Sequence, residues 1–309
     1  MPKFKLPPRL PFRKLGLAGL GLIGGSLVKA FMPFGGLEIS VFDNNPETVS
    51  EAKRIKRLAR VTSDPDEFIS WPLDLAYLCL PVKRNIELIK RMGQLSVPYP
   101  VTDSGSTKGP ITEAALECGL NFCGGHPIAG KEVAGFKHST ADLIRGCLFL
   151  LTPDPRFGPQ QKELLRRLKN FHELLDCRVR LVSPLEHDRI YGLISHLPFI
   201  TASALAGTAM ESGGQEILAW AGTGFRDTTR VGASPPLKWV EVAMENSQNL
   251  SQYIGDLINM LTRFKAIIAD KNETELTDLL TEISAFRRLL PQKHLLTRCR
   301  NPPRLIKLA

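Results

Sequence analysis

The chain has 309 residues, 43% hydrophobic and 23% charged, which suits about two globular domains and excludes a disulfide mini-protein, a collagen-like repeat or a disordered chain. The formal charge is +9, but five basic residues fall within 1–14 (Lys3, Lys5, Arg9, Arg13, Lys14) and seven within 287–309 (Arg287, Arg288, Lys293, Arg298, Arg300, Arg304, Lys307), with no acid in either stretch. Of the 40 basic residues, the 28 outside those ends are outnumbered by 31 acids, and no stripe interleaves basic with aromatic residues. No nucleic-acid partner is expected.

Strand-like runs at Leu15–Ala18, Glu38–Phe42, Leu75–Leu80, Val101–Thr102, Asn121–Cys123, Leu148–Leu151 and Arg178–Val182 alternate with helical patterns at Ile86–Met92, Ile111–Cys118 and Gln160–Leu175. That alternation predicts an α/β, Rossmann-type doubly wound parallel sheet. After Ser183-Pro184 the strand signal stops, and apolar residues recur at helical spacing from Leu250 to Ile268 and from Leu276 to Phe286. An all-helical domain should therefore follow, with domains at 1–183 and 184–309. The apolar stretch Ile190 to Met210 carries His196, Pro198 and several hydroxyl residues, and reads as a buried helix rather than a membrane span.

The N-terminal run LGLAGLGLIGGSLVKAF superficially copies a secretory leader, but its five glycines would weaken a continuous apolar helix. Cys79, Cys118, Cys123, Cys147, Cys177 and Cys299 form no CxxC pair. A reducing, cytoplasmic location is the expectation.

Gly19, Gly21 and Gly24 occupy the three glycines of GxGxxG directly after a strand and at the start of a helix. The first permits a tight turn, the second lets a pyrophosphate approach backbone, and the third lets helix and strand pack closely. Asp43 ends the next strand, 24 positions after Gly19, where a carboxylate can accept from both ribose hydroxyls and repels a 2′-phosphate. NAD is the expected cofactor, held by these residues with Leu22, Ile23, Leu80, Pro81 and Ser104. The alternative for the loop is a structural glycine turn with Asp43 capping a helix.

Three further segments carry candidate chemistry: VTDSGSTKG (101–109), GGHPIAGKEVAG (124–135) and GFRDTTRVGASPPLKW (224–239). The first two follow candidate strands, so Ser104, Ser106, Lys108 and His126 should face the nicotinamide end of the crevice. His126, between Gly125 and Pro127, has the near-neutral pKa suited to taking an alcohol proton as hydride leaves. His187 and His196 lie nine apart beside Asp188, which is not a ligand spacing, and no metal is expected.

The glycine loop, TDSGSTKG, GGHPIAG, ISHLP (194–198) and GFRDTTR together resemble the prephenate/arogenate dehydrogenase family of tyrosine biosynthesis, over residues 14–290. The resemblance implies an N-terminal dinucleotide-binding domain, a helical domain that forms a homodimer, and NAD-dependent oxidative decarboxylation of prephenate or arogenate. It implies that His126 takes the C4 hydroxyl proton, that Ser106 holds that hydroxyl, and that Arg230 binds a substrate carboxylate. Glu132, Asp227, Trp239 and His196 fall around the implied pocket. Several prephenate-using members carry a second histidine directly after HLP, where this chain has Phe199; its apolar ring implies tolerance of both substrates.

Two other readings start from the same residues. A 6-phosphogluconate-type β-hydroxyacid dehydrogenase or imine reductase would use a lysine of the helical domain, for which Lys238 is the candidate. A non-catalytic NAD(H) sensor would need neither His126 nor Arg230.

Overall fold

The computed structural model describes residues 10–290; Cys299 and most of the basic residues at both ends lie outside them. Five parallel strands, β1 (Lys14–Ala18), β2 (Glu38–Phe42), β3 (Leu58–Thr62), β4 (Leu75–Leu78) and β5 (Val101–Asp103), assemble in the order β3-β2-β1-β4-β5. Helices α1 (Leu22–Phe31), α2 (Pro46–Lys53), α3 (Pro65–Ser70), α4 (Val82–Gln94) and α5 (Gly109–Glu117) form the crossovers. A second sheet of β6 (Gly124–Ile128), β7 (Leu148–Thr152) and β8 (Arg178–Leu181) follows, with α6 (Gln160–Glu173) between β7 and β8. A single parallel bridge, Val101 to Phe122, links the two sheets.

In its strands this differs from the sequence reading in two places. The strand expected at 121–123 begins instead at Gly124 and runs antiparallel to β7, so the layer is not parallel throughout. β3 was not expected at all. Both faces of the sheet are packed, as a doubly wound layer requires: Leu27, Phe31, Tyr77, Leu168 and Phe171 fill one side, and Phe68, Ile89, Met92, Ile111 and Phe122 the other. Phe31 stacks on Phe171 with ring centroids 4.1 Å apart.

After Leu181 the described chain is helical: α7 (Pro184–Tyr191), a π-helical turn (Gly192–His196), α8 (Leu197–Gly213), α9 (Thr223–Thr229), α10 (Pro236–Glu245), α11 (Ser247–Ala269) and α12 (Glu273–Arg288). The chain divides between Ser251 and Gln252 into two compact units. Packing thus continues past the last strand, because α7 is bonded back to the start of α5 through Asp188. In the second unit Asn272 caps α12 by accepting from the Glu275 amide at 3.2 Å, and Arg263 reaches Glu275 at 3.6 Å.

The run Pro184–Gly213 is long and apolar enough to cross a membrane, with mean hydropathy 1.3 over its most apolar 18 residues, of which 11% are buried. The expectation of a buried helix is therefore not met within one chain. Leu193, Ile194, Leu205 and Met210 are exposed, an apolar face too long for the neighbouring elements to cover.

His172 sits inside the first core, stacked on Phe149 at 3.7 Å. Its Nδ1 donates to the Leu168 carbonyl at 2.7 Å and the Tyr77 hydroxyl lies 3.1 Å from Nε2. Burial draws its pKa down to about 4. The unfolded ring titrates near 6.5, so the unfolded state binds the extra proton: stability is fully present above about pH 6.5 and is lost as pH falls from there toward 4. The loss is on the order of 3 kcal/mol. Urea unfolding midpoints measured between pH 7 and 4 should fall, and fall less in His172→Phe; equal slopes would remove His172 from the account.

Candidate active site

The glycine turn is built for a close neighbour. Gly19 has a φ of +93°, and a Cβ there would lie 2.8 Å from the Cys79 carbonyl at the end of β4. A Cβ on Gly24 would stand 1.9 Å from the Gly19 carbonyl oxygen, so any side chain pushes α1 off the turn. Gly21 precedes α1 with no side-chain cap and nothing within 4 Å of its Cβ position. No side chain of Gly21 covers the first amides of α1, which suits an anionic phosphate.

Asp43 is buried at the end of β2, where it accepts from the Leu20 amide at 2.6 Å and the Asn45 amide at 2.8 Å. It braces the glycine turn while remaining beside it. A cavity of about 240 Å³ opens at the carboxyl ends of the neighbouring strands, lined by Phe42, Asn44, Ser63, Leu80 and Arg84 among others. Leu22, Ile23 and Leu80 are half-buried and Pro81 is exposed. Ser104 is half-buried, and its amide donates to the Leu78 carbonyl at 2.9 Å.

Below the crevice a buried ion pair organises the next two segments. Lys108 and Asp103 are both fully buried and bonded to each other. Asp103 also accepts from the Gly105 amide at 2.7 Å and the Gly125 amide at 3.1 Å, while Lys108 donates to the Gly125 carbonyl at 2.8 Å. The serine loop and the histidine strand are thereby one bonded frame. Lys108 does not face the crevice as its place in the sequence suggested, because its charge is consumed beneath it.

His126, half-buried, brings its Nδ1 to 2.8 Å from His187 Nε2. His187 is fully buried, and its Nδ1 lies 2.7 Å from Asp188 Oδ1. Asp188 accepts in addition from the Lys108 and Gly109 amides, each at 2.7 Å, and so caps α5 from α7. Burial first, and the neighbouring His187 next, hold the His126 pKa well below its ordinary value rather than near neutrality. The ring is therefore an unprotonated acceptor at neutral pH. The His187 contribution had no local signal: adjacency to Asp188 says nothing of a partner 61 residues upstream.

His196 is also buried. Asn246 Nδ2 lies 3.1 Å from His196 Nδ1 and donates to the Asp188 carbonyl at 2.8 Å. This histidine is thus tied through Asn246 to the Asp188 backbone. Trp239 meets His196 edge-on at 6.3 Å and stacks on Phe199 at 4.1 Å with rings 4° from parallel. Arg230, exposed, pairs with Glu132 in the loop after β6, not with Asp227, which lies exposed on α9. The guanidinium is thus already presented to a carboxylate.

Family models match the chain over residues 34–181, described as the prephenate dehydrogenase nucleotide-binding domain, and over 183–282, described as the prephenate dehydrogenase dimerization domain. A crystal structure of prephenate dehydrogenase from Aquifex aeolicus, in complex with hydroxyphenyl propionate and NAD+, is 30% identical and superposes with a TM-score of 0.83, covering 90% of this chain and 98% of that one. The Synechocystis arogenate dehydrogenase structure is 28% identical with a TM-score of 0.74, covering 89% and 99%. The cyclohexadienyl dehydrogenase of Zymomonas mobilis is 28% identical over 294 residues, 92% of this chain and 98% of that protein.

Proposed function

The chain belongs to the prephenate dehydrogenase family, and from that membership and the geometry above we propose that it is an NAD-dependent dehydrogenase that oxidatively decarboxylates prephenate, arogenate or both. The observation that carries the reading is the frame uniting the serine loop, His126 and the His187–Asp188 pair. An alcohol oxidation needs a neutral base held still beside a hydroxyl-binding group, and the bonds that tie the serine loop to the strand of His126 support that reading.

The residues fit the cofactor. The uncapped start of α1 and the bare Gly21 suit a pyrophosphate, Asp43 suits ribose hydroxyls, and the cavity beside Leu80 suits an adenosine. When bound, the nicotinamide supplies the hydride acceptor. Ser106 and His126 hold the C4 hydroxyl, and His126 Nε2 takes its proton as hydride leaves C4. Carbon dioxide departs from C1 with its bonding electrons left in the ring, which becomes aromatic. Arg230 holds a substrate carboxylate with its planar fork, with Glu132, Asp227, Trp239 and His196 around the pocket. Phe199 spends its ring on Trp239 and offers no polar group to tell keto acid from amino acid. The discriminating experiment is reduction of NAD and, separately, NADP with prephenate and with arogenate. Absence of turnover with both substrates would overturn the reading.

Arg230→Ala should raise KM by roughly 30-fold or more, equivalent to the ~2 kcal/mol of a charge-assisted pair, with less change in kcat. Arg230→Lys should recover little, since an ammonium lacks the two-pronged geometry. Steady-state kinetics decide it: an unchanged KM in the Ala variant rejects the clamp.

The exposed apolar residues of Pro184–Gly213, with Trp220 and Leu237, are covered in our reading by a second copy of the chain. Sedimentation at low concentration should give a homodimer. A stable, fully active monomer would refute that.

A further inference from the structure

The hydrogen-bond chain that begins at Asp188 fixes which nitrogen of His126 is free. Asp188 caps the nine-residue α5, where its carboxylate accepts two backbone amides at a helix N-terminus. There its oxygens act as acceptors only. His187 Nδ1, 2.7 Å away, must then carry a hydrogen and donate it. A neutral His187 consequently has a bare Nε2, which at 2.8 Å accepts from His126 Nδ1. His126 is left with its hydrogen on Nδ1 and its lone pair on Nε2, the nitrogen not engaged by the relay.

We propose that His187 and Asp188 form a buried relay that sets the His126 tautomer and then receives the proton His126 takes from substrate. The proposal rests on the reading of His126 as proton acceptor and extends it. The hydroxyl proton bonds to His126 Nε2; the hydrogen on His126 Nδ1 moves to His187 Nε2; His187, with its Nδ1 hydrogen still bonded to Asp188, becomes an imidazolium beside a carboxylate. One proton enters, none leaves, and the positive charge comes to rest one ring deeper, next to a fixed negative charge. His187 and Asp188 are thus positioning residues, acting on substrate only through His126.

The charged and titratable groups around this pair come from several elements. Asp103 lies on β5 and Lys108 at the start of α5, paired to each other. Tyr191 of α7 stacks on His187 at 4.8 Å and meets His126 edge-on at 5.3 Å. Lys238 of α10 acts on His126 through its charge, and His196 of the π-helical turn, whose pKa burial draws down to about 4, acts so only when protonated. None of them replaces Asp188 as the acceptor for His187 Nδ1.

The test uses His187→Gln, whose amide oxygen can still accept from His126 Nδ1 but cannot take up a proton. We expect kcat to fall about 10- to 100-fold, as for loss of an outer-shell partner, and the acid limb of its pH profile to move to lower pH because the proton loses its resting place beside Asp188, the opposite of the rise that removing a mere neighbouring positive charge would give, with NAD affinity retained. An acid limb that stays in place or moves to higher pH, whether kcat holds or falls with stability or NAD affinity, overturns the relay. A second measurement needs no substrate: the imidazole 15N shifts of the wild-type chain should show hydrogen-bearing Nδ1 and bare Nε2 in both His126 and His187. A hydrogen on His126 Nε2 overturns the proposal. Lack of turnover with prephenate and arogenate would instead strike the functional reading, while the nitrogen shifts still report on the hydrogen-bond chain.

Discussion

Asn in place of His126 should lower kcat by roughly a hundred- to ten-thousand-fold, the range for losing a general base, and leave NAD affinity nearly unchanged. The substitution is conservative for the fold. An Asn amide can still donate toward His187 Nε2, and the strand position between Gly125 and Pro127 is held by Asp103 and Lys108 rather than by the imidazole. What disappears is the bare ring nitrogen. NAD affinity should hold because the glycine turn, Asp43 and the adjoining cavity are built from β1, β2, β4 and α1. Stopped-flow hydride transfer and a separate NAD titration distinguish the two. A loss confined to NAD binding, or a kcat within tenfold of wild type, would take the proton acceptor away from His126.

Asp103→Asn should destabilise the chain by about 3–5 kcal/mol, because it leaves the Lys108 ammonium buried with no counter-charge. Adding Lys108→Met removes that uncompensated charge and should restore much of the loss, since replacing both members of a buried pair by uncharged groups is often close to neutral. Chemical denaturation of the wild type, both single variants and the double variant reads the coupling. Purely additive effects would show that the pair is not what holds the serine loop to the histidine strand.

The parts legible from sequence were those whose signal is local. The glycine turn announces itself because three small residues, a strand and a terminal acid appear in order, and Glu38–Phe42 is a dense apolar run. β3 was missed because it is an edge strand of sequence LARVT whose exposed arginine and alanine mask any alternation. β6 was displaced because GGHPI has no strand propensity of its own. It is extended there because Cβ atoms on Gly124 and Gly125 would strike Thr152 at 2.3 Å and the Asp103 carbonyl at 2.6 Å, so only bare backbone fits between β5 and β7. The motif residues of the site were legible for the same local reason. His187 was not, since its worth lies in a hydrogen bond across 61 residues.

That separation has a consequence for how the chain comes to life on the ribosome. At roughly 5–20 residues added per second, domains tend to fold from the N-terminus as they emerge. The glycine turn, all of the first sheet and the strand bearing His126 are synthesised before His187, which follows some 3 to 12 seconds later at that pace. Asn246, which bonds both the Asp188 carbonyl and His196, comes later still. A nascent or prematurely ended chain can therefore complete its nucleotide cradle while its histidine has no partner to orient it, and deprotonation is withheld until the helical half has been made and docked.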